Sequence, residues 1–361
     1  MNLDSLREKL ASWTLMNAPT GFEEPVLTAA RDALAPLCDS MMVDVRGNLY
    51  AEINGVDSAA PRVMITAHAD EIGFMVTSLT NEGFLRFTRL GGPTVSVLPG
   101  QRVRLLPEGK PPVEAVIGVK PGHILTGDEA YRVPPVEQMY LDAGAESAQQ
   151  LTEWGLEPGT PGVFVGELVP TSHPSRVFGK SIDNRAGWLA VLEIAERLSK
   201  DRPAGDCVIV LTVEEEIGLR GAAVAAMEAA PDVVIALDTV PSGGTPELSD
   251  EELPWTIGAG PLLKVRETSG LSTHGPLRSL FRKTAEEHDI PYQLIIDTAG
   301  ITDATSAQQA SGEIAAVTLG LARRYSHSAV EMLDLRDLAQ LIDWTEKTTR
   351  KLIDKKQLQR I

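Results

Sequence analysis

Two rhythms share this chain, and their order restricts the fold more than any other feature of it. From Ile72 to about Pro170 the sequence breaks into short β-type runs, FMVTSLT, FLRFTRL, QRVRLL, VEAVIGV and VFVGELV, separated by NEG, LGG, PEGKPP and PGTPG. Short runs closed by glycine and proline turns predict a small β-barrel or sandwich. After Ser181 the rhythm changes: helix-type RAGWLAVLEIAERLSK, strand-type DCVIVLTV, helix-type GAAVAAMEAA and strand-type DVVIALD precede further helices alternating with PYQLIID and IAAVTLG. That alternation predicts an α/β layer. The beginning of the chain belongs with it. Leu3, Leu6, Leu10 and Trp13 recur at helical spacing, as do Val26, Ala30, Leu34 and Leu37, and MMVDV and LYAEI flank the turn Arg46-Gly47-Asn48 ahead of the buried-strand run RVMITAHAD. The expected division is an α/β domain built from 1–71 plus 171–361, interrupted by an inserted all-β domain at 72–170.

Charge and cysteine content remove several function classes. The 361 residues carry 33 Lys and Arg against 50 Asp and Glu, a formal charge of −17, and such a polyanion repels phosphate backbones and anionic lipid. Neither nucleic acid nor a membrane is an expected partner. No apolar run approaches the ~20 residues that span a bilayer, and the start, MNLDSLREKLASW, reads as an amphipathic helix rather than a signal peptide. The two cysteines, Cys38 and Cys207, are far apart and lack a second Cys or His at metal spacing. They indicate neither a disulfide framework nor a thiolate site, so a reducing cytoplasm is the expected location.

Polar side chains of metal-ligand type gather where apolar strands end, and in an open α/β sheet the carboxyl ends of the strands form the ligand crevice. His68-Ala69-Asp70 follows RVMITA; in an extended segment residues two apart face the same way, which places Asp70 to orient the His68 imidazole. Glu214, Glu215 and Glu216 follow VIVLTV, and three consecutive carboxylates repel one another unless a cation compensates them. Asp238 follows DVVIAL, His327 lies beyond IAAVTLG, and Asp183 precedes the helix that starts near Arg185. Each has an ordinary alternative: a solvated strand end, an acidic loop, a turn aspartate, a loop histidine or, for Asp183, a helix N-cap. Taken together they supply two imidazoles and several carboxylates, a nitrogen and oxygen set suited to zinc, cobalt or manganese. One carboxylate bridging two ions ~3.5–4 Å apart would make a dinuclear hydrolytic centre.

These residues resemble one family, the tetrahedral (TET) aminopeptidases, dinuclear metallo-exopeptidases also called glutamyl aminopeptidases, some members having been described as endoglucanases. The resemblance runs through APTGFEEPV at 18–26, AHADEIGFMV at 67–76, SIDNRAGWLAVLEI at 181–194, TVEEEIGLRGA at 212–222, TDA at 302–304 and RYSHSAVE at 324–331. Within the insert it runs through GQRVRLL, IGVKPGHIL and YLDAGAESAQQLTEWGLEPG. It implies a zinc-peptidase-like α/β/α catalytic domain with a mixed sheet, interrupted by a barrel-like insert that serves oligomerisation and pocket access. It also implies two divalent metal ions per subunit, zinc with cobalt or manganese as alternatives. Asp183 would bridge them, His68 and Asp238 completing one position and Glu216 and His327 the other. Glu215 would be the general base, Asp70 would fix the His68 tautomer, and Asp303 would lie near the pocket for the first residue, its alternative being a helix N-cap. Peptides are the implied substrates, and dimers built into a dodecamer the implied assembly. The insert's short strands are a second reason to expect self-association, since open edges need covering.

Glu214 stands where the family usually has an uncharged residue, and TVPSGGTPE after Asp238 and the acidic LSDEELPW depart from its usual pattern, which leaves side-chain preference open. Competing readings are a metallo-deacylase or dipeptidase of the same clan, a glycoside hydrolase, and a scaffold that has lost its chemistry. In the deacylase families the extra domain lies between the fourth ligand and the last histidine. Here it lies between His68 and Asp183, and two carboxylates alone, as in a glycosidase, would leave the histidines without a purpose.

Overall fold

A computed structural model describes the chain except for Met1, Asp250, Ser269, Ala299 and the side chain of Ala130. It opens with α1 (Leu3–Thr14) and α2 (Glu24–Leu34), which bury the faces their spacing predicts: Leu6, Leu10 and Trp13, then Val26, Ala30 and Leu34. Strands β1 (Ser40–Val43), β2 (Leu49–Ile53) and β3 (Val63–His68) follow. The insert supplies β4 (Gly73–Leu79), β5 (Phe84–Leu90), β6 (Arg102–Leu105), β7 (Val113–Ile117), β8 (Leu141–Asp142), the short α3 (Ala148–Glu153) and β9 (Pro161–Phe164). Next come β10 (Val169–Pro170), β11 (Arg176–Gly179), α4 (Ile182–Lys200), β12 (Cys207–Thr212), α5 (Arg220–Ala229) and β13 (Val233–Pro241). The chain continues through β14 (Leu262–Arg266), α6 (Gly275–Glu287), β15 (Gln293–Ile296), α7 (Asp303–Ala307), β16 (Ala315–Arg323), β17 (Glu331–Asp334) and α8 (Leu335–Arg350).

Eight strands form one mixed sheet in the order β1-β2-β12-β3-β13-β16-β14-β15. Its middle four, β12, β3, β13 and β16, are mutually parallel, so their carboxyl ends share one edge. Helices cover both faces. Trp188 and Leu189 of α4 and Leu338 and Leu341 of α8 share one core with α1, while the alanines 222, 225, 226 and 229 of α5 and 304 and 307 of α7 pack on Val208, Val210 and Val234 opposite. The layering is α/β/α, as expected. Among the described residues no helix is long and apolar enough to cross a membrane.

The insert closes into a six-stranded barrel in the order β4-β5-β8-β7-β6-β9, the pair Phe74 and Gly162 joining its last strand to its first. Phe74 fills it, edge-on to Phe87 at 5.5 Å and to Phe164 at 5.0 Å between ring centroids. Closure removes the open edges that the strand pattern suggested, so edges give no reason for self-association. The run VFVGELV is not one strand. Its first part ends the barrel at Phe164, and Val169–Pro170 pairs with β11, which pairs with β17, in a separate antiparallel sheet.

One strand end also moves. β13 pairs with β16 over its whole length to Pro241 and Arg323, whereas its pairing with β3 stops at Ala236 and Thr66. Asp238 therefore lies inside β13 rather than past its end, two residues beyond the last β3 pair, as His68 is on β3.

Candidate active site

His68 is the last residue of β3, and its two ring nitrogens have separate duties. Nδ1 lies 3.1 Å from the Asp70 carbonyl oxygen and 3.4 Å from Asp70 Oδ1, while Nε2 lies 3.2 Å from Asp183 Oδ1 and 3.6 Å from Asp238 Oδ1. A neutral imidazole that donates through Nδ1 to Asp70 presents its Nε2 lone pair to whatever lies among the carboxylates. Asp70 does more than orient this ring: its carboxylate accepts the backbone N–H groups of Glu215 and Glu216, each at 3.1 Å, and the Thr20 hydroxyl at 2.9 Å. One buried carboxylate thus joins the end of β3 to the turn after β12.

That turn separates three glutamates that are adjacent in sequence. Glu214 has a positive φ of 55° and sends its side chain outward to Arg46, 2.7 Å away, which removes it from the cluster. Its N–H is held by Glu23 of the APTGFEEPV segment. Glu215 and Glu216 point into the crevice with His68, Asp183 and Asp238. Glu216 Oε1 lies 3.5 Å from His327 Nε2.

Asp183 is not the cap of α4. Asp183 and Asn184 have non-helical torsions within its first turn, and the Asn184 side chain caps the regular helix that follows, accepting the Gly187 N–H at 3.0 Å while donating to the Leu237 carbonyl at 2.8 Å, next to Asp238. The Asp183 carboxylate is therefore free to face two histidines, Oδ1 towards His68 and Oδ2 towards His327 Nε2 at 3.4 Å. The His327 Nδ1 lies 2.9 Å from the Gly92 carbonyl, so its Nε2 is also the inward nitrogen.

The barrel supplies that last contact. The loop after β5 runs along Glu216 and His327: the Thr94 N–H donates to the His327 carbonyl at 3.0 Å, and its hydroxyl to the Ser326 carbonyl at 3.1 Å. A Cβ on Gly92 would sit 2.9 Å from His327 Nδ1, and one on Gly91 3.0 Å from Glu216 Cβ, so both positions depend on the missing side chain.

Sequence reasoning did not single out Arg323 or Glu331. Arg323, closing β16, lies 2.8 Å from Asp183 Oδ2, and it pairs with Glu331 and donates to Ser326 Oγ at 2.6 Å. Glu331 accepts the N–H of Asp183 and that of His327, both at 3.0 Å. An arginine closing a largely apolar strand, with an acid four residues past the last histidine, was the available signal. Asp303 starts α7 and is buried behind the cavity, accepting from the Thr212 hydroxyl; Thr302, not Asp303, reaches the cavity lining.

The electrostatics show what is missing from the balance. Burial, together with Asp183, pushes Glu216 up to about 8, and burial together with Asp238, Glu216 and Asp303 pushes Glu215 well up. Burial opposes ionisation of Asp183 too, but Arg323 and the two imidazoles outweigh it and hold that carboxyl well below its usual range. For His327 burial is outweighed by Asp183 and Glu216, which bring it to about 9. Carboxylates crowded in this way call for positive charge, and divalent cations supply it more densely than protons do. Two sets of donor atoms, His68 with Asp183 and Glu216, and His68 with Glu215 and Asp238, lie mutually within 4.8 Å, so the side chains fit divalent metal ions. Cys38 and Cys207 are free thiols outside this crevice.

Solved structures that match nearly the whole chain include aminopeptidases, and the chain is a peptidase, a hydrolase. The family follows from a match of residues 47–344 to the model of the M42 glutamyl aminopeptidases, and the chain belongs to that family. It is 32% identical to a lysyl aminopeptidase of Pyrococcus furiosus, covering 90% of this chain and 89% of the relative. An aminopeptidase from the archaeon Desulfurococcus kamchatkensis superposes with a TM-score of 0.93 at 30% identity, over 99% of this chain and 98% of its own. The TET1 peptidase of Pyrococcus horikoshii, described as assembling into a tetrahedron or a large octahedral shell, does so with 0.84 at 29% identity, over 96% and 99%. The expected family and fold class are thereby borne out.

Proposed function

We propose that the chain is a metal-dependent aminopeptidase that removes the first residue of peptides at a two-metal centre. The observation that carries this reading is the Asp183 carboxylate, whose two oxygens face two different imidazoles, each with a second carboxylate beside it. His68, Asp183 and Asp238 would hold one ion, and Asp183, Glu216 and His327 the other. Two divalent ions, zinc or alternatively cobalt or manganese, would supply polarisation of the scissile carbonyl and acidification of water.

The chain's own residues do the rest. Asp70 and the Gly92 carbonyl keep both Nε2 atoms turned inward. Glu215 also has a carboxylate oxygen within 4.8 Å of donor atoms of His68 and Asp238. We assign it the base's role that the family resemblance implies, with five other groups left to hold the ions. It accepts a proton from the attacking water and returns it to the departing amine. Arg323 and Glu331 hold Asp183 and His327 in register.

We further propose that residues 72–170 act as an assembly and access domain, and that copies associate into a homo-oligomer, as dimers within a dodecamer. The assembly described for the similar TET1 peptidase supports this part.

Chelation tests the chemistry. Metal-stripped protein should lose its activity and regain it with zinc, cobalt or manganese, and elemental analysis should find two ions per chain. Full activity after stripping would reject the centre. A peptide and its N-acetylated form should differ completely as substrates, and equal cleavage of both would reject exopeptidase action. Light scattering should give a mass well above the single-chain 38.8 kDa.

A further inference from the structure

Beside the acid and imidazole cluster, the 340 Å³ cavity continues into a recess that the proposed chemistry does not use. Leu219, Pro241 and Ile301 give it apolar sides, and Lys264 and Asp297 give it a charged wall. Lys264 is a cation in the middle of β14, only 1% exposed. Its ammonium lies 2.8 Å from Asp297 Oδ2 and 3.3 Å from Glu267 Oε1. Glu267 in turn accepts the Thr302 N–H at 3.1 Å and its hydroxyl at 2.7 Å, which ties this wall to the segment carrying Ile301.

Among the described residues, charge on this wall does not balance, whatever further polar partner Asp297 has. Two buried carboxylates surround one buried ammonium, and Asp238 lies close enough to add to their field on it. Within the neighbouring centre two divalent ions would be matched by Asp183, Glu215, Glu216 and Asp238, and Arg323 by Glu331, with the buried Asp70 and Asp303 beyond that count, so that centre does not make up the deficit. The segment that leaves the rim at Pro241 carries exposed Glu247, Glu251 and Glu252 further along, with Asp250 outside the described residues.

We propose that this recess receives the side chain of the substrate's first residue and prefers a basic one, lysine or arginine, with Asp297 setting the preference. An aliphatic stem suits Leu219 and Ile301, and its cation completes a wall that is one positive charge short. An acidic side chain would meet an ammonium already overcompensated, and burying it there would leave charge unpaired. The inference rests on the aminopeptidase reading above, and the names of the relatives do not decide it, since glutamyl and lysyl enzymes both occur among them.

The test is a panel of p-nitroanilides of lysine, arginine, norleucine and glutamate with the metal-loaded wild-type enzyme. Norleucine has the stem of lysine without its charge. The expected kcat/KM for lysine exceeds that for norleucine, and exceeds that for glutamate by at least about tenfold. Asp297→Asn should lower the lysine-to-norleucine ratio roughly tenfold and raise glutamate relative to both. Norleucine cleaved as well as lysine, or glutamate preferred, overturns the proposal in the wild type alone, whether or not the variant folds. A variant that lowers all substrates by the same factor also overturns it, by making Asp297 structural. Hydrolysis of none of the four would instead sink the aminopeptidase reading.

Discussion

The barrel and the parallel edge of the sheet are both fully packed, yet they bury different things. Around the sheet edge Asp70, Glu71, Lys180, Asp183, Arg185, Arg323 and Glu331 are all withdrawn from solvent, whereas among the described residues of 72–164 the polar side chain buried to that degree is Thr160. Burying a charge costs several kcal/mol unless partners repay it, and replacing a buried pair by apolar groups is often neutral or stabilising. Stability alone does not require such a network, so its concentration at one end of one sheet points to chemistry. The barrel, by contrast, is explained by Phe74, Phe87, Phe164 and their neighbours through hydrophobic burial. Its loop at Gly91–Thr94 is where the two regions stop being independent.

Four substitutions would break or sharpen this contrast. The largest effect belongs to Glu215→Gln, which should lower kcat roughly 10²–10⁴-fold while metal content and melting temperature stay near wild type. Steady-state kinetics beside elemental analysis checks it, and a near-normal rate would move the base elsewhere. In the barrel, Phe74→Ala should cost about 3–5 kcal/mol of stability through the cavity it opens. Calorimetry should register that loss while the kcat of the remaining folded enzyme changes little.

Gly92→Ala tests the junction, because a methyl group there meets the His327 ring; overpacking of this kind costs about 1–3 kcal/mol. The expected outcome is weakened binding of one of two metal ions in a calorimetric titration. Two unchanged affinities would show the barrel to be a bystander. The smallest effect is expected for Arg46→Ala, which removes a partly exposed pair with Glu214 worth less than about 1 kcal/mol and should alter kcat less than about threefold. A large loss of activity would return Glu214 to the cluster.

Much of this was legible in the sequence because strand ends and their polar residues are local features. His68, Glu216, Asp238 and His327 were found as polar punctuation of apolar runs. Arg323 and Lys264 were not, since a cation at the end or middle of a β-run usually reads as a solvated face. Beside the near partners Glu331 and Glu267, residues more distant in the chain, Asp183 for one and Asp297 for the other, meet them in the interior. Strand β8 was missed as well, having two residues and no periodicity to detect.

The sequence by itself determined the α/β layering, the place of the barrel within it and the residues available at the crevice, because alternation, turn residues and helical spacing act over a few neighbours. Tertiary structure decided which of three adjacent glutamates leave or enter the site, that Asn184 and not Asp183 caps α4, and that a closed barrel without free edges reaches back through Gly92 to hold His327. These outcomes depend on backbone torsion and on contacts between segments more than a hundred residues apart, such as Asp70 with the Glu215 and Glu216 N–H groups. Such contacts exist only once the sheet has brought its strand ends together.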